Sequence, residues 1–373
     1  MKSPHIMLIP YPAQGHVIPL MELALRLVNY GCKSSDDRSD QGKLAESIFA
    51  VMSDELMALI EQINGSESDK ITCLIADATM GWALEVAEKM GIKYVAFWPP
   101  AATQLALLFK IPNFIDDRII DSDGEYSLNI EQHLSVITET DGTKIIFKLM
   151  VRILKPVKSA YRLICNSSKW LQSGTFASFT DFIPIGPLLA SNPLGKSAGN
   201  FWKEHSGCLA WLDQQPHNSV IYVAFGSLTI FDQNQFEELA IGLELTNRPF
   251  LWVVRQQKVL SHPSVACFIS HCGWNSTIEG ISNGIPFLCW PYFADQLFNR
   301  SYICDYLKIG LGFNKDDSGL IRREEIKNKV EQLLSDERFK DRVLDLQKKI
   351  QNSVREGGSS YENLNDFVAW IKD

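Results

Sequence analysis

Short, dense apolar runs alternate along this chain with stretches whose apolar residues recur every three to four positions, which is the pattern of strands buried on both faces joined by amphipathic helices. Residues 5–10 read as a strand, and 17–30 as a helix on the spacing of Leu20, Leu23, Leu25 and Leu27. The unit repeats with a strand at 71–76 closed by Asp77, a helix at 82–90 and a strand at 94–98, and two short strands follow at 161–166 and 182–187. In the second half a strand at 219–225 ends on Gly226-Ser227, and a helix at 233–245 leads to a strand at 250–254. A strand at 266–270 turns through His271-Cys272-Gly273 into another helix, with a strand at 286–290 and a helix at 294–306 beyond it. Residues 322–372 read as mainly helical, interrupted at Gly357-Gly358.

Alternation of this kind implies doubly wound α/β sheets, whose ligands bind outside the carboxyl ends of the strands. His16, Asp77, Ser227 and His271 all fall at such ends. The 373 residues suit two domains. The stretch 188–207, rich in Ser, Asn, Gly and Pro, is the natural linker, which gives a first domain at 1–190, a linker at 191–207 and a second domain at 208–355.

Composition narrows the partners. A net charge of −8 argues against nucleic acid or an anionic membrane surface, whose binding footprints are basic. A small neutral or weakly acidic ligand is easier to accommodate. Eight cysteines lie scattered, without paired metal spacing, and read as reduced core thiols of a cytoplasmic protein. The first residues enter a strand at once and lack the pattern of a signal peptide, and no apolar run approaches the length of a membrane span.

The densest chemistry lies in residues 256–296. A helix starting after His271 offers unpaired amide groups and the positive end of its dipole, so a diphosphate fits there with His271, Asn275 and Ser276 as side-chain donors. Asn275 is the expected N-cap, and Glu279 lies one turn further on. With His271-Cys272-Gly273-Trp274-Asn275-Ser276, Glu279 and the terminal Asp295-Gln296, the chain resembles the plant secondary-product UDP-glycosyltransferases.

That resemblance implies the two-Rossmann-lobe GT-B fold, an active cleft between the lobes, and a C-terminal helix at 356–373 that packs back on the first lobe. It assigns the diphosphate to His271, Asn275 and Ser276, the ribose hydroxyls to Glu279, and the sugar hydroxyls to Asp295 and Gln296. Trp274 would pack beside the sugar, Gln256 would touch the uracil, and Ser227 would neighbour a phosphate. The implied activity is inverting transfer of glucose, or another hexose, from a UDP-sugar to a hydroxyl of a small phenolic, flavonoid or terpenoid. The UDP-sugar is then a co-substrate, no further cofactor is implied, and a monomer is expected.

Such a transfer needs a base for the acceptor proton and a site for the departing diphosphate. His16, in a Gly-His turn after the first strand, suits the first role, because histidine titrates near neutrality. Asp77 matches the family position of the carboxylate that orients the ring. Asp121-Ser122-Asp123 has the spacing of a metal motif, but Asp-Gly marks a turn and no metal is expected. Gly226-Ser227 lacks the Gly-x-Ser-x-Gly frame of a hydrolase elbow, and no Gly-x-Gly-x-x-Gly supports a nicotinamide enzyme. His262 reads as structural. Phe97, Trp98 and Phe114 fit either the core or an acceptor pocket.

The chain departs from the family pattern in three places. The Trp-Ala-Pro that opens the family's box is absent, since Val253-Val254-Arg255 run directly into Gln256. Stacking of an aromatic ring on a base is worth about 1 to 3 kcal/mol. After residues 31–33 a polar run from Ser34 to Asp40 holds no expected strand, so a βα unit is read as dropped, and 133–158 is short and divergent. These losses leave open an alternative, a catalytically silent homologue that folds poorly or binds ligand weakly.

Overall fold

Period-two alternation along the strands sorts the apolar residues onto opposite faces of two parallel sheets, and helices cover those faces. The computed structural model describes residues 4–12, 14–29, 33–34, 44–65, 70–120, 141–188, 206–226, 229, 231–253, 259–292 and 294–373. Internal contacts divide the chain into one unit of Met1–Asn200 with Asn352–Asp373 and a second of Phe201–Gln351. The stretch read as a linker, 191–207, lies outside the described residues up to 205.

The first unit runs β1 (His5–Ile9), α1 (Gln14–Asn29), β2 (Lys33–Ser34), α2 (Leu44–Asn64), β3 (Cys73–Asp77), α3 (Gly81–Lys89), β4 (Lys93–Trp98), α4 (Ala102–Asp116), α5 (Asp141–Lys158), β5 (Arg162–Cys165), α6 (Ser173–Ser178) and β6 (Phe182–Pro184). Its sheet has the order β2-β1-β3-β4-β5-β6, parallel at every pairing. Cys73 and Ile75 of β3, with Val95 and Phe97 of β4, pack against Leu20, Leu23 and Leu27 of α1. Leu74, Ala76, Tyr94, Ala96 and Trp98 face the other way, toward Ile60 of α2 and Trp82 of α3. Phe97 and Trp98 are therefore core residues, at 0% and 3% exposure. Phe114 packs partly buried beside Ile111 and Ile120.

The second unit runs α7 (Ser206–Leu212), β7 (Val220–Ala224), α8 (Gln233–Glu244), β8 (Phe250–Val253), β9 (Val265–Ser270), α9 (Trp274–Ser282), β10 (Phe287–Cys289), α10 (Gln296–Ser301), β11 (Gly310–Gly312), α11 (Arg323–Ser335) and α12 (Glu337–Val354). Its sheet, β11-β10-β9-β7-β8, is parallel throughout. Ile221, Val223, Cys267, Ile269 and Leu288 meet Leu239 and Leu243 of α8 and Ile326, Val330 and Leu333 of α11. The α8–α11 contact is fixed by charge as well as by packing. Arg323 donates Nη2 to Glu238 Oε1 at 2.6 Å and Nε to Oε2 at 3.0 Å, which pulls the Glu238 carboxyl down to about 2.

After Asn352 the chain rejoins the first unit and ends in α13 (Ser359–Lys372). Leu364, Phe367, Val368 and Ile371 join the cluster formed by α1, β3 and β4. Trp370 takes Lys93 at 5.3 Å and Arg162 at 4.9 Å over its ring, which lets two cations line an aromatic face instead of a bare apolar surface.

The polar run after residue 33 does hold a strand residue: Lys33–Ser34 pairs parallel with His5 and Ile6, and the 21-residue α2 follows. Two residues are too few for a periodic signal, so the strand is invisible to pattern alone. Helix α1 begins at Gln14, not 17, which puts His16 in its first turn and not in a loop. Gln14, Gly15 and His16 carry no apolar residue that would extend the helical spacing backward.

Candidate active site

Strand alternation explains how His16 meets Asp77. Cys73 and Ile75 face α1, so Asp77, two positions further, points to the same face at the carboxyl end of β3. There His16, in the first turn of α1, places Nδ1 2.7 Å from Asp77 Oδ2. A carboxylate only accepts, so Nδ1 donates and the tautomer is fixed with the lone pair on Nε2. Asp77 is fully buried, while the His16 side chain keeps 22% of its surface exposed. The other carboxylate oxygen, Oδ1, accepts from the Thr79 amide at 2.9 Å and the Thr79 hydroxyl at 2.6 Å. Tyr11 flanks the imidazole, with ring centroids 5.1 Å apart.

In the second unit β9 turns into α9 through His271, Cys272 and Gly273. Cys272 adopts φ 65°, a left-handed conformation unusual for a residue with a side chain, and its amide is held by Ser270 Oγ at 3.0 Å. The N-cap is Gly273, not the expected Asn275, and Trp274 already belongs to the helix. The sharp turn at Cys272 advances the start, and Gly273 has no side chain to cap it. The first intrahelical bond runs from Thr277 N to Gly273 O, so the amides of Trp274, Asn275 and Ser276 precede the helix's own ladder.

Glycine is required on both sides of His271. A Cβ at Gly273 would stand 2.6 Å from His271 Nε2, and one at Gly226, where φ is 70°, would stand 2.9 Å from it. Burial pushes the His271 imidazole down to about 4, against a smaller upward pull from the Ala224 backbone, so the ring is neutral at physiological pH. Its Nδ1 is buried without a hydrogen-bond partner. Glu279 retains some exposed surface, yet the protein packed around it pushes its carboxyl up to about 7.

Asp295 stands at the N-cap position of α10 without a side-chain capping bond, after Ala294 at φ 53°, and buried Gln296 accepts from the Tyr292 amide at 2.8 Å through Oε1. Asn299, fully buried, escaped the sequence reading. Its Nδ2 donates to Asp295 Oδ2 at 2.9 Å and to the Cys272 carbonyl at 2.8 Å, which ties the Asp-Gln segment to the turn that starts α9. The i, i+4 spacing from Asp295 was the available signal. Trp274 is 3% exposed, with its ring 6.5 Å from that of Tyr302. His262 lies between Ser264 Oγ at 2.7 Å and Asp213 Oδ1 at 3.1 Å. Ser264 is buried, so this Asp-His-Ser row braces the entry to β9 and offers no accessible nucleophile. Ser227, Gln256, Asp121 and Asp123 lie outside the described residues, and among the described residues no cluster of metal-ligating side chains forms.

Two doubly wound parallel sheets on one chain are the architecture of the GT-B glycosyltransferases, and solved structures share it over nearly the whole length. A UDP-glucosyltransferase from Polygonum tinctorium superposes with a TM-score of 0.83 at 24% identity, covering 100% of this chain and 99% of that one. Os79 from O. sativa, solved in complex with UDP, gives 0.83 at 23% identity, covering 98% and 100%. The family profile described as "UDP-glucoronosyl and UDP-glucosyl transferase" matches residues 198–352. UDP-glycosyltransferase 83A1 of Arabidopsis thaliana is 38% identical, with 100% of this chain and 97% of that protein aligned. The chain belongs to this family of UDP-glycosyltransferases. That alignment spans 452 positions against 373 residues here, so at least 79 of them face no residue of this chain.

Proposed function

We propose that this enzyme transfers glucose, or another hexose, from a UDP-sugar to a hydroxyl of a small aromatic or terpenoid acceptor, with inversion at the anomeric carbon. The observation that carries the reading is the 2.7 Å contact between His16 Nδ1 and Asp77 Oδ2. With Nδ1 donating, Nε2 takes the acceptor proton as the hydroxyl oxygen attacks, and the buried carboxylate stabilises the imidazolium that forms. A single displacement breaks the anomeric C–O bond to the diphosphate and forms the new one on the opposite face. No enzyme nucleophile enters this scheme.

The leaving UDP is assigned to the start of α9. The amides of Trp274, Asn275 and Ser276 and the helix dipole would receive the diphosphate, with the Asn275 and Ser276 side chains beside them. The partnerless Nδ1 of His271 would find a phosphate oxygen there, with the ring acting as a neutral polar group and not as a cation. Glu279 is assigned to the ribose, Asp295 and Gln296 to the sugar hydroxyls, Gln256 to the uracil and Ser227 to a phosphate. In this scheme UDP-sugar is a co-substrate, and neither metal nor cofactor is invoked. The Polygonum enzyme is described as glucosylating indoxyl, which favours small aromatic acceptors as first candidates.

Cytoplasmic residence is part of the proposal. All seven described cysteines are free thiols, as a reducing compartment would keep them, and among the described residues no helix is long and apolar enough to cross a membrane. A monomer is the expected state. A silent homologue is the less favoured reading, because the paired histidine and the polar helix start are both in place. Acceptor-dependent release of UDP from UDP-glucose, scanned over phenolic acceptors, tests the proposal. Release that persists unchanged in His16→Ala would defeat it.

A further inference from the structure

Asp77 uses both carboxylate oxygens, and they do different work. Oδ2 faces His16, whereas Oδ1 is taken up by a single residue two positions along the chain. Thr79 sits in the 3-10 turn Ala78–Met80 that follows β3, and it donates to Oδ1 through both its amide and its hydroxyl. The hydroxyl contact, at 2.6 Å, is the shorter of the two. Thr79 is 9% exposed and Asp77 0%, so neither donor is readily replaced by water.

A carboxylate can rotate about its Cβ–Cγ bond, and only one rotation presents Oδ2 squarely to Nδ1. We propose that Thr79 is a positioning residue for the proton-abstracting histidine: by clamping Asp77 Oδ1 it fixes the carboxylate plane, and so holds His16 in the tautomer that keeps the lone pair on Nε2. The inference rests on the reading of His16 as the base. Thr79 touches no reacting atom in this scheme and acts only through Asp77. The side chain matters because the amide alone leaves Oδ1 one donor and a freer rotation. Valine at this position keeps the shape and removes the hydroxyl, and serine restores it.

The test needs no acceptor. Imidazole nitrogen-15 spectra of the full chain, labelled in its seven histidines and assigned for His16 with His16→Gln, report the tautomer and the titration of that ring directly. The wild type is expected to show the Nδ1–H tautomer. Thr79→Val is expected to draw the two ring-nitrogen shifts together as the second tautomer gains population. It should also lower the His16 pKa by about half a unit, because a displaced carboxylate stabilises the imidazolium less. Thr79→Ser should match the wild type, and Thr79→Ala should repeat the valine result if valine melts too early to be measured. A Thr79→Val chain with wild-type tautomer and titration, when Asp77→Asn changes both, would show Thr79 to be merely structural. A rise in the His16 pKa would overturn the clamp as well, since it would mean the hydroxyl only drains charge from Asp77. If Asp77→Asn leaves the His16 spectrum unaltered, the pairing itself fails, and the base reading falls separately from the role of Thr79.

Discussion

The two units hold their candidate site residues by different means. In the first, a row of side chains does the work: Thr79 anchors Asp77, which orients His16, and strand alternation turns Asp77 to the α1 face where His16 lies. In the second, the main chain dominates. A left-handed Cys272, a capless helix start at Gly273 and a histidine pressed between two glycines shape the candidate anion site, and Asn299 ties it to Asp295. A side-chain relay is sensitive to loss of a functional group. A main-chain cradle is sensitive to added bulk and to misplacement of its turn.

The sharpest contrast follows from removing the proposed base. His16→Ala should lower turnover by about 10²- to 10⁴-fold, the usual range for a general base, with UDP-glucose affinity unchanged. Steady-state rates paired with calorimetric titration measure both quantities, and a parallel loss of donor affinity would erase the distinction between the units.

Bulk at the cradle should give the opposite pattern. Gly273→Ala sets a Cβ 2.6 Å from His271 Nε2. Displacing the ring should cost about 2 kcal/mol, or roughly 30-fold in UDP affinity. The His16 nitrogen-15 spectrum should stay as in the wild type, and a change there would mean that the units are not separable in this way.

Glu279 supplies a pH test. Its carboxyl rises from 4.5 to about 7 on folding, so between those values the folded chain binds more protons than the unfolded one, and this group's contribution to stability falls as pH rises through the window. Glutamine does not titrate. Glu279→Gln should therefore melt above the wild type at pH 8 by the equivalent of about 1 to 2 kcal/mol, allowing for partial exposure, and the gain should fade toward pH 5. The same difference at both pH values would place the Glu279 titration elsewhere.

The smallest effect is expected at Asn299. Loss of its bond to Asp295 in Asn299→Ala should weaken UDP-glucose binding by about five-fold, near 1 kcal/mol, and UDP binding by less. Equal losses for both ligands would argue that Asn299 serves only the Cys272 turn.

Much of this arrangement could be read from residue pattern. Dense runs such as Cys73–Asp77 and Val265–Ser270 mark the strands, and Asp77 and His271 fall at their carboxyl ends, where ligands of parallel sheets generally bind. Features set by one or two residues were not legible. Strand β2 is too short to show a period, and the cap at Gly273 depends on the backbone angle of Cys272. Thr79 and Asn299 are ordinary polar residues in sequence. Only the fold shows that each meets a carboxylate assigned to the chemistry.

The second unit should bind UDP-sugar although Val253-Val254-Arg255 run directly into Gln256, with no Trp-Ala-Pro before it. Calorimetric titration of the full chain with UDP-glucose measures this without any acceptor. Saturable one-site binding, weakened by about ten- to a hundred-fold relative to a variant with Trp-Ala-Pro inserted before Gln256, is the predicted result. A folded chain, shown by a cooperative melt, that releases no heat with UDP-glucose would mean that this unit does not bind the donor.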